Sequence, residues 1–358
     1  MTLRSQLSLD GTWQFWTDPE VRLTPDTLRA AASTTVAVPA PWQSQSDDLR
    51  FYSGIAWYRR TVEIPIEWLD DRIILGFGAV DYHAEVWFNG TPVGSHEGGY
   101  LPFEFDVTEL VRPGDNTLTV RVSDPDVLFP EIPHGKQSWY GPLSGIWQSV
   151  WLERRAPFHL RRLHVVPDLQ TGRIRVHLLL AAEAEEGYRV SVAVVAPGGE
   201  IVTVEQVDVP AGQDSLEHTL SVAEPLPWSP DTPHLYRMEV SLHQGEERVD
   251  ALAEHFGFRT IEARGGHLFL NGEMLYLLGA LDQDYYPDTI STPPSLEFLE
   301  DQFRKAKELG LNCLRCHIKV PDPRYYEVAD RVGMLIWTEL PNWRSPTAKA
   351  AALARSTM

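Results

Sequence analysis

The spacing of the apolar residues changes near residue 265, and this change limits the folds that the chain can adopt. Before that point, apolar and polar residues alternate with a period of two, which is typical of half-buried antiparallel strands. After it, apolar runs suited to buried strands alternate with stretches of helical spacing. Strands joined by helices require a parallel sheet with crossover connections. The sequence therefore predicts a multidomain β plus α/β protein.

Residues 1–155 carry the signals of an antiparallel sandwich. Apolar runs flank Asn89-Gly90, and an Asn-Gly pair in that setting is a strong hairpin signal. Residues 113–116 predict a second turn before another alternating segment. Short strands and turns of this kind favour a jelly-roll β-sandwich.

A second all-β block covers residues 156–262. Apolar residues alternate with polar ones along 174–180 and 190–194, and residues 197–199 predict a hairpin turn. About seven short strands over roughly 100 residues are typical of an immunoglobulin-like β-sandwich. The chain has only 2 cysteines, so we expect this sandwich to lack the usual disulfide.

Residues 263–358 form the predicted α/β part. Apolar runs predict three buried strands, at 274–280, 312–318 and 334–340. Thr292 and Pro293 predict the start of a first helix, as N-cap and first helical residue, and Gly310 predicts its end. Asp322 predicts the start of a second helix, which Gly333 ends.

Three strands are too few for a closed barrel. Roughly 85 residues remain from Met274 onward, whereas a (β/α)₈ barrel needs about 250. We expect the first three βα units of a TIM (β/α)8 barrel, in a chain that is a fragment of a longer one. A small α/β cap is the alternative. The helix-forming residues 348–358 lack a stop signal, which fits an interrupted helix.

The composition excludes some classes of partner. The net charge of −19 repels phosphate, which argues against nucleic acid and anionic membranes as partners. No apolar run approaches the ~20 residues of a membrane helix, and the N-terminal segment lacks the apolar core of a signal peptide. We therefore expect a cytoplasmic protein. The 12 tryptophans suit sugar faces, but we expect most of them to fill the sandwich cores.

Polar residues follow the carboxyl ends of the three predicted parallel strands, the edge that carries the active site in (β/α)₈ barrels. These residues are Asp282, Asp284, Arg315, His317 and Glu339. Carboxylate pairs carry out glycoside hydrolysis, so this set suits a sugar site. The alternative is that they are solvated loop ends. A guanidinium on an otherwise apolar strand should pair with a carboxylate.

The sequence from Cys313 to His317 matches the C-x-x-C-H signature of haem attachment. On a strand, residues three apart point to opposite faces, so Cys313 and Cys316 should not share a haem, a metal or a disulfide. We therefore reject a haem or redox role.

Several stretches, in the right order along the chain, are similar to those of one enzyme family. They lie at residues 9–15, 56–60, 86–90, 145–150, 256–259 and 269–272. With them the chain resembles glycoside hydrolase family 2, which includes β-galactosidases, β-glucuronidases and β-mannosidases. The resemblance covers essentially the whole chain and implies the order jelly roll, immunoglobulin-like sandwich, barrel.

The resemblance also implies roles for individual residues. Arg315 resembles the strand-two arginine that organises the catalytic carboxylates, and Glu339 resembles the strand-three glutamate at the sugar and metal site. Asp284 stands where the family often has a glutamate, which implies contact with the sugar. Asp282 and His317 lie at the same site. From the first domain, the family's loop into the site corresponds here to residues that include Lys136, Gln137 and Trp139; an ordinary surface loop is the alternative.

The family's catalytic pair has no counterpart in this sequence. Its acid/base is the glutamate of an Asn-Glu pair after strand four, and its nucleophile is a glutamate after strand seven. No Asn-Glu pair occurs in the 358 residues, so we expect both catalytic residues beyond Met358 and the chain alone to be inactive. The resemblance implies that the longer parent hydrolyses terminal β-linked sugars by a retaining two-carboxylate mechanism.

The resemblance implies a carbohydrate substrate and no required cofactor. It allows a divalent cation and a homo-oligomer, and it does not identify the sugar. The alternative function is a non-catalytic carbohydrate-binding protein or an inactive relic. A scaffold fragment without a ligand is a third, weaker hypothesis.

Overall fold

A computed structural model describes residues 4–126, 129, 131–341, 347–349 and 351–352. The first part consists of β1 Ser5–Ser8, β2 Gly11–Thr17, β3 Thr34–Val38, β4 Gly54–Ile64, β5 Arg72–Phe77, β6 Val80–Asp81, β7 His83–Phe88, β8 Thr91–Glu97, β9 Phe103–Asp106, β10 Gly114–Asp124, the one-turn helix α1 Gln137–Tyr140, β11 Gly145–Ile146 and β12 Val150–Arg155. Two antiparallel sheets, β1-β12-β5-β9 and β3-β2-β4-β10-β7-β8, pack on one core. The predicted antiparallel sandwich is confirmed.

Local turn signals explain the sandwich edges. Asn89 and Gly90 adopt positive φ angles of 52° and 82° between β7 and β8, as a two-residue hairpin turn requires. The turn predicted at 113–116 ends earlier than expected, because β10 already begins at Gly114. The buried Asn116 closes this turn from inside the strand, since its amide donates to the carbonyl oxygen of Arg112 and accepts from the N–H of the same residue.

The second part is a seven-stranded sandwich. Its strands are β13 Leu160–Pro167, β14 Arg173–Leu180, β15 Tyr188–Val195, β16 Ile201–Asp208, β17 Ser215–Ser221, β18 Tyr236–Gln244 and β19 Glu247–Phe256. The sheets β13-β14-β17 and β16-β15-β18-β19 are antiparallel and enclose a second core. The strand number and the 197–199 hairpin agree with the sequence prediction, and both cysteines of the chain are free.

The third part begins with an antiparallel hairpin and continues as a parallel sheet. Its elements are β20 Ile261–Arg264, β21 His267–Leu270, β22 Glu273–Leu275, β23 Gly279–Asp282, α2 Leu296–Glu308, β24 Cys313–Cys316, α3 Pro323–Val332 and β25 Leu335–Thr338. The sheet order is β23-β24-β25 with parallel pairing. Helices α2 and α3 pack on one face of this sheet through a third core. The predicted alternation of strands and helices is confirmed.

One predicted strand is wrong. The apolar run 274–280 is divided between β22, which pairs with β21, and β23, which starts only at Gly279. Between them the side chain of Asn312 accepts from the N–H of Leu278 and donates to the carbonyl oxygen of Tyr276. A side chain from elsewhere in the chain therefore takes the place of ladder bonds, and Met274 and Tyr276 are exposed.

The predicted start of the first helix is also wrong, by three residues. Helix α2 begins at Leu296, and the hydroxyl of Ser295 caps it by accepting from the N–H of Phe298. The hydroxyl of Thr292 instead donates to the carbonyl oxygen of Trp147 at 2.6 Å. The residue expected to cap the helix thus binds the first sandwich.

The remaining helix signals behave as predicted. Gly310 follows α2 with a φ of 83°, Asp322 caps α3, and Gly333 ends α3 in the left-handed conformation. The helix expected over 348–358 lies mostly outside the described residues.

Most tryptophans fill cores, as predicted. Trp13, Trp42, Trp147 and Trp228 are among the largest fully buried side chains of the described residues. Within the described ranges, none of the helices has the length and apolar character that a bilayer crossing requires. The domain boundaries at 155 and 262 stay predictions.

Candidate functional site

The parallel strands bring three of the predicted residues, Asp282, His317 and Glu339, to one edge of the sheet. Asp282, Cys316 and Thr338 end β23, β24 and β25 in matched register. The residues that follow them therefore lie side by side, and the N–H of His317 donates to the carbonyl oxygen of Asp282 at 2.9 Å. Glu339 is the next residue after β25.

Glu339 is the centre of this edge. The Nε and Nη2 atoms of Arg315 donate to its Oε1 at 2.9 and 2.6 Å. Its Oε2 contacts Nδ1 of His317 at 2.8 Å and accepts from the N–H of Ile318 at 3.1 Å. Burial raises the pKa of Glu339, but the hydrogen bonds from His317, Arg315 and Ile318 outweigh burial and hold the pKa below its usual range. The carboxylate that Arg315 was predicted to need is Glu339.

Asp284 lies inside the protein rather than at an open site. Its Oδ2 is 2.7 Å from the ammonium of Lys319, and its Oδ1 accepts from the hydroxyl of Tyr286 at 2.6 Å. Lys319 also donates to the carbonyl oxygen of Asp284 at 2.6 Å. Burial raises the pKa of Asp284, and the charge of Lys319 opposes that rise. The position of Asp284 does not support the predicted contact with sugar, because no face of its carboxylate is open.

Asp282 connects the edge to the helix layer. Its Oδ1 accepts from the N–H of Asp284 at 2.7 Å, and its Oδ2 accepts from the hydroxyl of Tyr325 in α3 at 2.7 Å. Both oxygens are therefore directed to other parts of the protein.

One face of the parallel sheet is open at its carboxyl end, whereas a core around Trp228 covers the same face toward its amino end. Leu281, Arg315 and Trp337 are aligned across the three strands, on the face opposite the helices. The guanidinium of Arg315 lies 5.8 Å from the centre of the Trp337 ring, which is 55% exposed. A ligand can reach the Arg315–Glu339 pair from this face.

Of the three residues predicted from the first domain, Lys136 and Trp139 contact each other, and Gln137 is buried. The ammonium of Lys136 lies 4.7 Å over the ring of Trp139, which is 70% exposed. Gln137 is buried, and its amide donates to Asp81 at 2.9 Å and accepts from the N–H of Leu143 at 3.0 Å. This geometry gives Gln137 a structural role, and its predicted sugar contact has no support in it.

The same loop extends to the parallel sheet. Tyr140 in α1 packs against Tyr285, which follows β23, with ring centres 5.2 Å apart. This contact joins the loop to the segment after β23. Lys136 and Trp139 therefore lie on a loop that reaches the strand ends.

Sequence reasoning missed Lys319, a lysine of this region that is fully buried. The lysine lies between two apolar residues, Ile318 and Val320, in a segment that follows a buried strand. A buried ammonium requires a carboxylate partner, so this pattern was the available signal.

Among the described residues, no group of three or more His, Cys, Asp or Glu side chains could hold a metal. Arg315 and His317 already occupy the oxygens of Glu339. A divalent cation stays an untested expectation.

Both sandwiches match profiles of one enzyme family. The profile described as "Glycosyl hydrolases family 2, sugar binding domain" matches residues 6–156, and the one described as "Glycosyl hydrolases family 2" matches residues 158–259. The chain belongs to glycosyl hydrolase family 2.

Curated relatives of this family 2 chain are glycosidases by name. A β-galactosidase of Aeromonas hydrophila is 31% identical over 94% of this chain and 36% of the relative. A β-galactosidase of Thermoanaerobacter pseudethanolicus is 29% identical over 84% of this chain and 41% of the relative. A putative β-glucuronidase of Formosa agariphila is 27% identical over 80% of this chain. The chain spans about two fifths or less of the length of these relatives.

Solved structures show the same fold. The β-glucuronidase of Ruminococcus gnavus aligns with a TM-score of 0.80 at 25% identity, over 94% of this chain and 59% of that one. The β-glucuronidase of Bacteroides uniformis aligns with a TM-score of 0.81 at 21% identity, over 98% of this chain and 44% of that one. The second similarity concerns the fold alone.

Proposed function

We propose that this family 2 chain is part of a β-glycosidase that removes terminal β-linked sugars by a retaining two-carboxylate mechanism. In this proposal the chain holds and orients the sugar, and the two catalytic carboxylates come from residues outside it. The observation that carries the proposal is the Arg315–Glu339 pair at the carboxyl ends of parallel strands, beside an open sheet face. The names of the relatives support the reaction class.

The electrostatics of Glu339 support a binding role rather than proton donation. Its lowered pKa keeps the carboxylate ionised at neutral pH, and its hydrogen bonds hold in place the partly exposed guanidinium of Arg315, which can donate to a sugar oxygen. A general acid needs a raised pKa instead. A retaining enzyme also needs a second carboxyl group about 5–5.5 Å from the first.

The sheet geometry supports a barrel in the longer protein. Helices cover one face of β23, β24 and β25, and the carboxyl end of the opposite face, with Leu281, Arg315 and Trp337, is open. We propose that these elements are the first three βα units of a TIM (β/α)8 barrel, with this face turned inward. The cytoplasmic location, the carbohydrate partner and a homo-oligomer remain part of this proposal.

The test is hydrolysis of nitrophenyl β-galactoside, β-glucuronide, β-mannoside and β-glucoside by this chain and by a longer protein that completes the barrel. We expect no turnover by the chain, and retaining hydrolysis of at least one substrate by the longer protein. Turnover by the chain alone that Glu339→Gln abolishes would make Glu339 catalytic and would refute the proposed division of roles.

A non-catalytic sugar-binding protein is the second candidate, favoured by the exposed rings of Trp139 and Trp337. Sugar binding by a longer protein that hydrolyses none of the four glycosides would select this candidate.

A further inference from the structure

The outer face of the sheet β13-β14-β17 carries a row of arginines. Arg173 and Arg175 alternate along β14 with residues buried in the second core, so both arginines point outward. Arg162 lies on the neighbouring strand β13, where it pairs with the exposed Leu179, and it is exposed on the same face. At about 3.4 Å per residue, the positions from 173 to 179 extend over about 20 Å. Arg162, Arg173 and Arg175 are called the arginine row below.

A groove of about 480 Å³ lies at one end of the arginine row. Arg173 and Arg175 line it together with Thr219 of β17, Thr260 and the apolar Val166. A guanidinium group binds a carboxylate through two parallel hydrogen bonds, and a threonine hydroxyl exchanges hydrogen bonds with sugar hydroxyls. The groove therefore offers the contacts that a sugar acid makes.

Contacts within the protein do not neutralise the row. In the described part of these strands, the salt bridges of β14 and β17 are made by His177 and His218, not by the arginines. Asp168 also lines the groove, but its carboxylate accepts from the N–H of Gln170 at 2.9 Å and from the hydroxyl of Thr171 at 2.7 Å. The turn between β13 and β14 therefore holds this carboxylate, and the guanidinium groups remain available to a ligand.

The row is a local excess of positive charge on an acidic chain. Strands β13, β14 and β17 contain one acidic residue, Glu217, whose Oε1 lies 3.0 Å from Nδ1 of His177. Glu254 of β19 attracts Arg162 without forming a salt bridge with it. The net charge of the whole chain is −19, so this face attracts anions that most of the surface repels.

The shape of the charged surface favours a single polysaccharide chain. Double-stranded DNA carries one charge per about 1.7 Å along its axis, and the acidic surface around so narrow a row would repel it. An acidic peptide supplies carboxylates without the hydroxyls that suit Thr219 and Thr260. A polymer of sugar acids supplies both groups along one line.

We propose that the arginine row and its groove bind a linear polysaccharide that carries carboxylate groups. The choice of a carbohydrate rests on the proposed function, but the surface belongs to the second sandwich and does not include the Arg315–Glu339 pair. In the longer protein this surface holds an acidic polymer while the barrel acts on a terminal sugar.

The test measures the binding of labelled hexasaccharides to this chain by fluorescence polarisation. The probes are a β-linked hexamer of mannuronate and mannohexaose, its uncharged counterpart. Arg173→Gln/Arg175→Gln removes both arginines of the groove. Arg29→Gln/Arg112→Gln is the matched control, because it makes the same change in net charge at exposed arginines of the first sandwich.

We expect the mannuronate hexamer to bind at least about tenfold more tightly than mannohexaose. Arg173→Gln/Arg175→Gln should weaken its binding about tenfold or more, because the charge-assisted hydrogen bonds are lost. The control should change it less than about twofold at physiological salt, where charges more than about 8 Å away are screened. Arg162→Gln, toward the other end of the row, should weaken the hexamer but not a mannuronate disaccharide, which is too short to reach from the groove.

The proposal is overturned if the mannuronate hexamer does not bind, if mannohexaose binds equally well, or if both double variants weaken binding alike. Tighter binding of a thymidine dodecanucleotide or of polyglutamate to the same arginines would also overturn it and would assign the row to another class of partner. Hydrolysis plays no part in these measurements. A longer protein that hydrolyses no nitrophenyl glycoside refutes the proposed function alone, whereas hydrolysis without mannuronate binding refutes the role of the arginine row alone.

Discussion

The buried pair of Lys319 and Asp284 gives the sharpest test of how the third part is stabilised. Their side chains are 3% and 0% exposed, and Lys319 makes further hydrogen bonds to the carbonyl oxygen of Asp284 and to Ser291. Lys319→Met keeps the length of the side chain and removes the ammonium. The carboxylate of Asp284 then keeps the hydroxyl of Tyr286 but loses its counter-charge. Breaking a buried pair in this way costs about 3–5 kcal/mol of folding free energy.

Native-state hydrogen exchange is the suitable assay, because a chain with three cores need not unfold in one step. Amides of β24, α2 and α3 report the opening of the third part. At 1.36 kcal/mol per tenfold, Lys319→Met should lower their protection by about 160-fold to 5,000-fold. Amides of the second sandwich, such as those of β15 and β18, should change little.

Low pH should reduce the destabilisation that Lys319→Met causes. Burial raises the pKa of Asp284 in the folded protein, so folding favours the protonated carboxyl group. The difference between wild type and Lys319→Met should therefore shrink as the pH falls through that raised pKa. It should be smallest below the folded-state pKa of Asp284 in the wild type, because the two unfolded chains titrate alike.

Two controls decide the interpretation. Lys305→Met removes the ammonium of an exposed pair with Asp301 and should leave protection nearly unchanged. The double variant Asp284→Asn/Lys319→Met should lose less folding free energy than the two single variants together, because neither charge remains buried alone. Equal effects of Lys319→Met and Lys305→Met, or strictly additive single effects, would refute the reasoning.

Three further predictions concern α2 and Glu339. Ser295→Ala should cost about 1 kcal/mol in the protection of α2, measured by hydrogen exchange, because it removes the N-cap acceptor; no change would mean that another residue caps the helix. Arg315→Ala should raise the pKa of the Glu339 carboxyl group in a carbon-13 titration, whereas Cys316→Ser should leave it in place; equal shifts would undercut the role of Arg315. The folded-state pKa of Glu339 is lowered, so its stabilising effect should be complete above the ordinary glutamate pKa of about 4.3 and be lost as the pH falls through the folded value. A stability difference between wild type and Glu339→Gln that stays constant as the pH falls below about 4.3 would contradict this assignment.

Local signals in the sequence predict the elements whose ends depend on neighbouring residues. Helix α3 starts at Asp322-Pro323 and ends at Gly333 because capping and left-handed geometry are properties of those residue types. The hairpin at Asn89-Gly90 follows for the same reason. Such positions need no knowledge of the rest of the fold.

Elements that depend on distant contacts could not be placed in this way. Thr292 and Ser295 are both good capping residues, and the sequence does not reveal that the carbonyl oxygen of Trp147, far along the chain, binds the first of them. Similarly, the strand expected over 274–280 is interrupted by the side chain of Asn312, which bonds the backbone at Tyr276 and Leu278. In both places a contact with a residue from outside the local sequence decides the boundary.

The two ion pairs at the strand ends show what the sequence can and cannot say about a site. A cation within an apolar segment predicts that a carboxylate lies nearby, and this logic applies equally to Arg315 and Lys319. Only the fold assigns their partners, and only burial separates their roles. Lys319 and Asp284 are closed to solvent, so their pair holds the segment after β23 against the segment after β24. Arg315 is 42% exposed beside the open end of the sheet face, so the Arg315–Glu339 pair is the one that is accessible from solvent, as the proposed sugar site requires.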